Sequence, residues 1–143
     1  MDFFSSMDIS ASALSAERTR MNLISSNLAN VNSTRTPEGG PYKRKDAVFT
    51  ATSAPGSFGA ALGHATDARR VEISQINEDQ NPPRMQYEPA HPDADAAGYV
   101  AYPNINMVEE MADMISATRS YEANVTAVSA AKSMAIKTLD IGR

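Results

Sequence analysis

The sequence predicts a mainly α fold: two long antiparallel terminal helices forming a coiled-coil-like pair, with a small irregular β-hairpin or extended insert between them. Three observations carry this expectation. All eight prolines lie between Pro37 and Pro103, and six of the seven glycines fall in the same interval. Both terminal arms carry apolar residues at heptad-like spacing. The middle alternates apolar and polar residues in short runs. The chain therefore divides into an N-terminal arm over 1–36, a Pro/Gly-rich insert over 37–103 and a C-terminal arm over 104–143.

Pro and Gly are the strongest helix breakers, so their absence from Asp2 to Thr36 and from Asn104 to Ile141 permits one long helix at each end. In the first arm Met7, Leu14, Met21 and Leu28 recur every seventh residue, with Ala11, Ile24 and Val31 filling the same stripe. That is the spacing of a coiled-coil seam. Ser5 or Ser6 is placed to cap the start, and the run Asn27 to Asn32 is expected to stop the helix, because Asn tolerates the left-handed conformation. The second arm repeats the pattern with Val108, Met111, Ile115, Thr118, Val125, Val128, Ala135, Ile136 and Leu139. Asn106 and Glu109 have capping-box spacing, while Glu109, Glu110 and Asp113 come early and Lys132, Lys137 and Arg143 late, as the helix dipole favours. Alanines at 112, 117, 123, 127, 130 and 131 favour the helix and let neighbours approach closely.

In the insert, Tyr42 to Phe49, Val71 to Ile76, Met85 to Glu88 and Gly98 to Tyr102 read as short strands, and Ala51 to Ala68 as a loop. Asn81-Pro82-Pro83 and Glu88 to Pro92 are expected to be extended. Lys43-Arg44-Lys45 is the one dense basic cluster, and a solvated strand edge is its plainest reading. The formal net charge of −4 argues against a nucleic-acid partner, which would need excess Lys and Arg to displace counterions. No cysteine is present, which excludes disulfides, thiolate metal sites and thiol nucleophiles. Met1-Asp2-Phe3-Phe4 lacks the basic start of a Sec-type signal, and no apolar run approaches the roughly 18 residues of a membrane span.

One cluster invites a catalytic reading. His91, Asp93 and Asp95 alternate with other residues and could collect a divalent metal, as in a small metal-dependent hydrolase or lyase. No further ligand set accompanies them, and His64, the other histidine, sits in the Gly/Ala-rich loop without a catalytic motif. We expect no catalytic, cofactor-binding or metal residues and no small-molecule substrate. Met107, Met111 and Met114 have the helical spacing of core residues, and Tyr42, Tyr87, Tyr99 and Tyr102 are placed either to anchor subunit contacts or to pack within the β element.

The run Ala13 to Asn22, continuing into Ser26-Asn27-Leu28-Ala29-Asn30-Val31-Asn32, resembles the N-terminal signature of flagellar rod and hook proteins. Tyr87-Glu88-Pro89, Pro92 to Val100 and Pro103-Asn104 resemble the segment that marks the FlgC-type family of proximal-rod proteins. Ser120-Tyr121-Glu122-Ala123-Asn124, Lys132-Ser133-Met134 and Lys137-Thr138-Leu139 resemble its C-terminal ending. The motif residues carried over are thus Asn27, Asn30, Tyr87, Pro89, Tyr99, Tyr121, Asn124, Lys132 and Lys137. This resemblance implies a structural subunit of the rod that crosses the periplasm, exported by the flagellar type III apparatus and packed against other rod proteins and copies of itself. The expected assembly interface is Met7, Leu14, Met21, Ile24, Leu28 and Val31 with Met111, Ile115, Val125, Val128, Ile136 and Leu139.

The apolar content of the arms is small against the conformational entropy of ordering them. A dilute monomer is therefore expected to be partly folded with both arms mobile, giving low helicity by circular dichroism and unprotected arm amides in hydrogen exchange. Full helicity with protected amides in both arms would overturn this.

Overall fold

The computed structural model describes residues 3–53 and 69–141. Helix α1 spans Phe3–Ala29 and helix α2 spans Met107–Ile141. Between them lie strands β1 (Lys45–Ser53), β2 (Arg69–Glu78), β3 (Arg84–Tyr87) and β4 (Tyr99–Tyr102). The strands form two separate antiparallel pairs, β1 with β2 and β3 with β4. All four expected strands are present, shifted by a few residues. The expected loop over 51–68 begins later than its composition suggests, since Ala51 to Ser53 still belong to β1; the rest of it, His64 included, lies outside the described residues.

The two helices run antiparallel, because Asn27 near the end of α1 meets Glu110 in the first turns of α2 while Met21 meets Thr118 farther on. The described part of helix α1 begins at Phe3, so Ser5 and Ser6 lie within the helix and not at its N-cap. Its end differs from expectation as well. Among the described residues no non-glycine has a positive φ. The helix stops instead through side chains: the Asn30 amide donates to the Ser26 carbonyl (2.9 Å), and the Ser33 hydroxyl donates to Asn30 Oδ1 (3.0 Å). At the start of α2 the Asn106 side chain accepts the Val108 N–H (3.1 Å), as an N-cap should. Among the described residues the last turn of α2 carries no basic residue, and Arg143 lies outside them.

Helix α1 lies between α2 on one side and the β1–β2 hairpin on the other. The hairpin runs back along the helix, from Asn27 beside Lys45 to Ser12 and Asp8 beside Val71 and Arg70. Nine extended residues span about 30 Å, close to the roughly 28 Å that the helix rises between those contacts. A bulge at Val48/Phe49 adjusts the register, and directly paired Ala47/Ile76, Phe49/Ile73 and Ala51/Val71 gather most of the apolar residues of both strands on one face, Val48 opposite Gln75 excepted.

The insert between β3 and β4 is not extended. The His91 N–H donates to Glu88 O (3.0 Å), the Ala94 N–H to His91 O (3.1 Å) and the Gly98 N–H to Asp95 O (3.0 Å), giving three successive turns. Pro89 and Pro92 take the second position of the first two, where their fixed φ suits a turn as well as an extended run. The third ends at Gly98, whose φ of 81° and whose missing Cβ, which would stand 2.9 Å from Tyr87 Cε2, both require glycine.

The core is thin. Among the described residues its buried apolar side chains are Ala16, Ile24, Val100, Ile105, Ala117 and Ala131, half of them alanine. Beyond Thr118 the inner line of α2 carries Tyr121, Asn124, Val128, Ala131 and Ala135, while Val108, Met111, Ile115, Val125, Ile136 and Leu139 are exposed. The expected C-terminal stripe thus faces away from α1, Thr118, Val128 and Ala135 excepted, and Met107 and Met111 are surface residues and not core. Small inner residues let the helices approach and leave the large ones outside.

Gly98→Ala is expected to cost about 1–3 kcal/mol through backbone strain and the clash with Tyr87. The edge-to-face contact of Tyr87 with Tyr99, at 5.3 Å between ring centroids, should be lost with it. Urea denaturation and the ring-proton shifts of both tyrosines measure this.

Candidate functional site: a buried polar node and an outward helix face

The most buried side chains include two that are polar. Asn27 and Glu110 are wholly enclosed, at 0% and 1% exposure. Asn27 sits on the last turns of α1 and uses its full hydrogen-bonding capacity. Its Oδ1 accepts from the Tyr42 hydroxyl (3.1 Å) and the Lys45 N–H (3.0 Å). Its Nδ2 donates to the Lys45 carbonyl (2.9 Å) and to Glu110 Oε2 (3.1 Å). Only a carboxamide offers two donors and two acceptors in this planar arrangement. Tyr42 reaches the node because the chain doubles back at Gly39 and Gly40, both with positive φ, so that the Tyr42 N–H donates to Ser33 O (3.0 Å).

The other Glu110 oxygen accepts from Arg44 Nε at 2.5 Å. The same guanidinium lies 3.6 Å from Asp46 and 3.7 Å from Asp113, and Arg20 of α1 reaches Asp113 at 3.6 Å. Burial acts to lower the Arg44 pKa, but the hydrogen bond and charge of Glu110, aided by Asp46 and Asp113, outweigh it and the value is raised. Stabilisation from a raised pKa is complete below the ordinary arginine value and is lost only as pH climbs through the raised one. Arg44 therefore adds no pH dependence near neutrality. The basic cluster is consequently not a uniformly solvated edge: Lys43 is exposed, Arg44 closes the node, and Lys45 is half-buried with its ammonium 3.4 Å from Glu78.

Sequence reasoning missed Arg44, Tyr42 and Glu110 as a unit. One signal was available. Glu110 occupies the inner line of α2, continuing through Met114, Ala117 and Tyr121 at alternating spacings of four and three, where a lone carboxylate demands a buried partner.

His91, Asp93 and Asp95 serve the turns. His91 Nδ1 accepts the Asp93 N–H (3.1 Å), Asp93 Oδ2 accepts the Thr34 hydroxyl (2.8 Å), and Asp95 Oδ1 accepts the N–H groups of Ala97 (2.8 Å) and Tyr99 (2.9 Å). Among the described residues no three His, Asp or Glu side chains gather to hold a metal. Of the other motif residues, Asn30 ends α1, Pro89 sets a turn, and Asn124 donates to Ser120 O (2.9 Å) beside Tyr121 on the inner side of α2. Tyr87, Tyr99, Lys132 and Lys137 are exposed. Within the expected interface, Met7, Leu14, Met21, Leu28, Val31 and Val128 are half-buried and Ile24 is buried, whereas Met111, Ile115, Val125, Ile136 and Leu139 are open to solvent.

Comparison with known proteins places this arrangement. A family profile described as "Flagella basal body rod protein" matches residues 7–35, and one described as "Flagellar basal body rod FlgEFG protein C-terminal" matches residues 96–141. The chain is 44% identical, over the full length of both, to the flagellar basal-body rod protein FlgC of Bacillus subtilis. It is 43% identical to the FlgC of Borreliella burgdorferi, over 94% of this chain and 93% of that one. The FlgC of Escherichia coli O6:H1 is 45% identical over 95% of each. The chain belongs to the FlgC family of flagellar basal-body rod proteins. It is a structural subunit of the rod, and the hydrolase or lyase reading of His91, Asp93 and Asp95 has no support. In this chain the polar node ties the end of α1 to the start of α2, and the outward face of α2 is an exposed apolar surface.

Asn27→Asp removes both Nδ2 donors and sets a second carboxylate against Glu110. It is expected to destabilise the fold by about 3–5 kcal/mol, the cost of breaking a buried charged contact. Arg18→Ala on the exposed side of the same helix should fall within about 0.5 kcal/mol. Urea denaturation of the two variants beside the parent chain checks the contrast.

Proposed function

We propose that this FlgC-family chain builds the proximal part of the rod, where the shaft carries torque across the periplasm, and that it acts through assembly alone and not as an enzyme. The observation that carries this reading is the outward stripe of α2. Ile115 is 56% exposed, Ile136 51% and Leu139 75%, which is costly for a helix that stands alone. A subunit that polymerises covers such a stripe with its neighbours. The assembly surface proposed is that stripe together with the half-buried residues of α1, and the neighbours are other rod proteins and further copies of this chain.

Export through the flagellar type III apparatus belongs to the same reading. A core of small residues and one polar node is readily opened for threading, and the described helices include none long and apolar enough to cross a membrane. The two family profiles cover the arms, while the full-length FlgC relatives extend through the insert as well. Partner choice along the rod is therefore assigned to the insert, whose exposed Met85, Tyr87 and Tyr99 offer an anchoring patch. Its neighbouring Val100 and Pro103 are wholly buried, so the whole of Tyr87 to Asn104 is not a free docking strap.

Val125→Asp tests the assembly surface, since Val125 is 44% exposed and the change leaves the core intact. An unpaired carboxylate in the assembled interface costs about 3–5 kcal/mol. The variant should be secreted at parental levels yet give no motility and no completed rods by electron microscopy. Lys43→Ala should swim normally. Normal swimming of Val125→Asp would remove the outward face of α2 from the assembly surface.

A further inference from the structure

Helix α1 also has an outward line. Asp8, Ala11, Ser15, Arg18, Asn22, Ser25 and Ala29 are all exposed and follow one another at alternating spacings of three and four. The outward stripe of α2 has the same periodicity, from Val108 through Met111, Ile115, Glu122 and Val125 to Lys132, Ile136 and Leu139. Two lines of heptad period mesh along their length at a shallow crossing angle. On α1 the line is made mostly of small or short side chains, and on α2 of large ones.

The charges select an alignment. When the two lines are laid antiparallel so that Ser15 meets Val125, Arg18 meets Glu122 and Asp8 meets Lys132, each opposite in sign. Ser25 then meets Ile115 in the same register, a small side chain against a large one. The parallel alignment that brings the same four charged residues together puts Asp8 against Glu122 and Arg18 against Lys132. It is repulsive at both points. Among the described residues Arg18, Glu122 and Lys132 have no ion-pair partner, and Asp8, 49% exposed, holds Arg70 at 3.2 Å through one oxygen.

We propose that the outward stripe of α2 docks antiparallel on the outward line of α1 of a second copy of this chain, in the register that pairs Arg18 with Glu122 and Ser15 with Val125. This rests on the reading of the chain as an assembling subunit and specifies its contact. The interface is heterologous. Each copy offers its α2 stripe to one neighbour and its α1 line to another, so the contact propagates around or along an assembly and does not close on a dimer. The charged pairs sit on the surface, and their contribution is to register and direction more than to affinity.

The cysteine-free sequence gives a clean test. Full-length chains carrying Ser15→Cys are mixed with differently tagged chains carrying Val125→Cys, both in solution at high concentration and in rods from cells expressing the two together, and then oxidised. A disulfide-linked heterodimer is expected, whereas Ser15→Cys with Ile115→Cys, about 15 Å out of register along the helix, gives at least tenfold less. Arg18→Glu in the Ser15→Cys chain and Glu122→Arg in the Val125→Cys chain should each alone reduce the yield severalfold, and the two chains carrying one change each should restore it when mixed. A heterodimer that forms equally with Ile115→Cys, or no rescue by the charge exchange, overturns the register. If Val125→Asp abolishes rods while no Ser15–Val125 linkage forms between copies, the stripe is covered by a different rod protein. The proposal then falls and the assembly reading stands.

Discussion

Everything in this fold hangs on a carboxamide with nowhere else to go. Asn27 is enclosed, and each of its four hydrogen-bonding positions is taken, by Tyr42, by both main-chain groups of Lys45 and by Glu110. Those partners belong to three different parts of the chain: the loop after α1, the first residue of β1 and the first turns of α2. Once Asn27 is satisfied, the angle at which the chain leaves α1, the position of the hairpin and the register of α2 are all determined. Arg44 completes the arrangement by neutralising Glu110, without which an enclosed carboxylate would be untenable.

A polar clamp at one end suits a molecule whose helices cannot hold each other by apolar contact. The inner line of α2 has small or polar side chains at Glu110, Ala117, Asn124, Ala131 and Ala135, with Met114, Tyr121 and Val128 half-buried among them, and the core they leave is correspondingly slight. An ordinary globular domain of this length would turn its largest apolar residues inward. Here they point outward along α2. The asymmetry fits the proposed assembly surface: the clamp provides orientation within one chain and leaves the large apolar residues of α2 free for neighbours. A polar node also resists slippage better than an apolar seam, because a shifted register leaves buried donors and acceptors unpaired.

The insert has a similar division of labour. Its turns are held by local hydrogen bonds of His91 and Asp95 and by the bond of Asp93 to Thr34 after α1, residues whose chemistry invites a metal-site reading when seen in sequence alone. Val100, Pro103 and Ile105 are buried, while Met85, Tyr87 and Tyr99 remain at the surface. A Glu88 carboxylate oxygen accepts from the Tyr102 hydroxyl at 3.0 Å and raises its pKa, tying the far end of β4 to the start of the turns.

By itself the sequence determined what depends on neighbours along the chain. Proline and glycine placement set the two arms and the broken middle, alternation set four short strands, and the signature around Asn27 and Tyr87 to Asn104 identified the family. Heptad spacing revealed that each helix has an apolar line, but not which way the line faces. A period defines a face only up to rotation of the helix, and that rotation is chosen by contacts between residues far apart, above all Asn27 with Glu110, which lie 83 positions apart. The same holds for Arg44, which in sequence is one of three adjacent basic residues and in the fold alone among them reaches a buried acid. The prolines of Pro89 and Pro92 fix a φ shared by extended chain and turns, and only the main-chain hydrogen bonds around them decide between the two. Tertiary structure thus decided the outward direction of α2, because burying two polar groups together is more demanding than burying any one methionine or leucine.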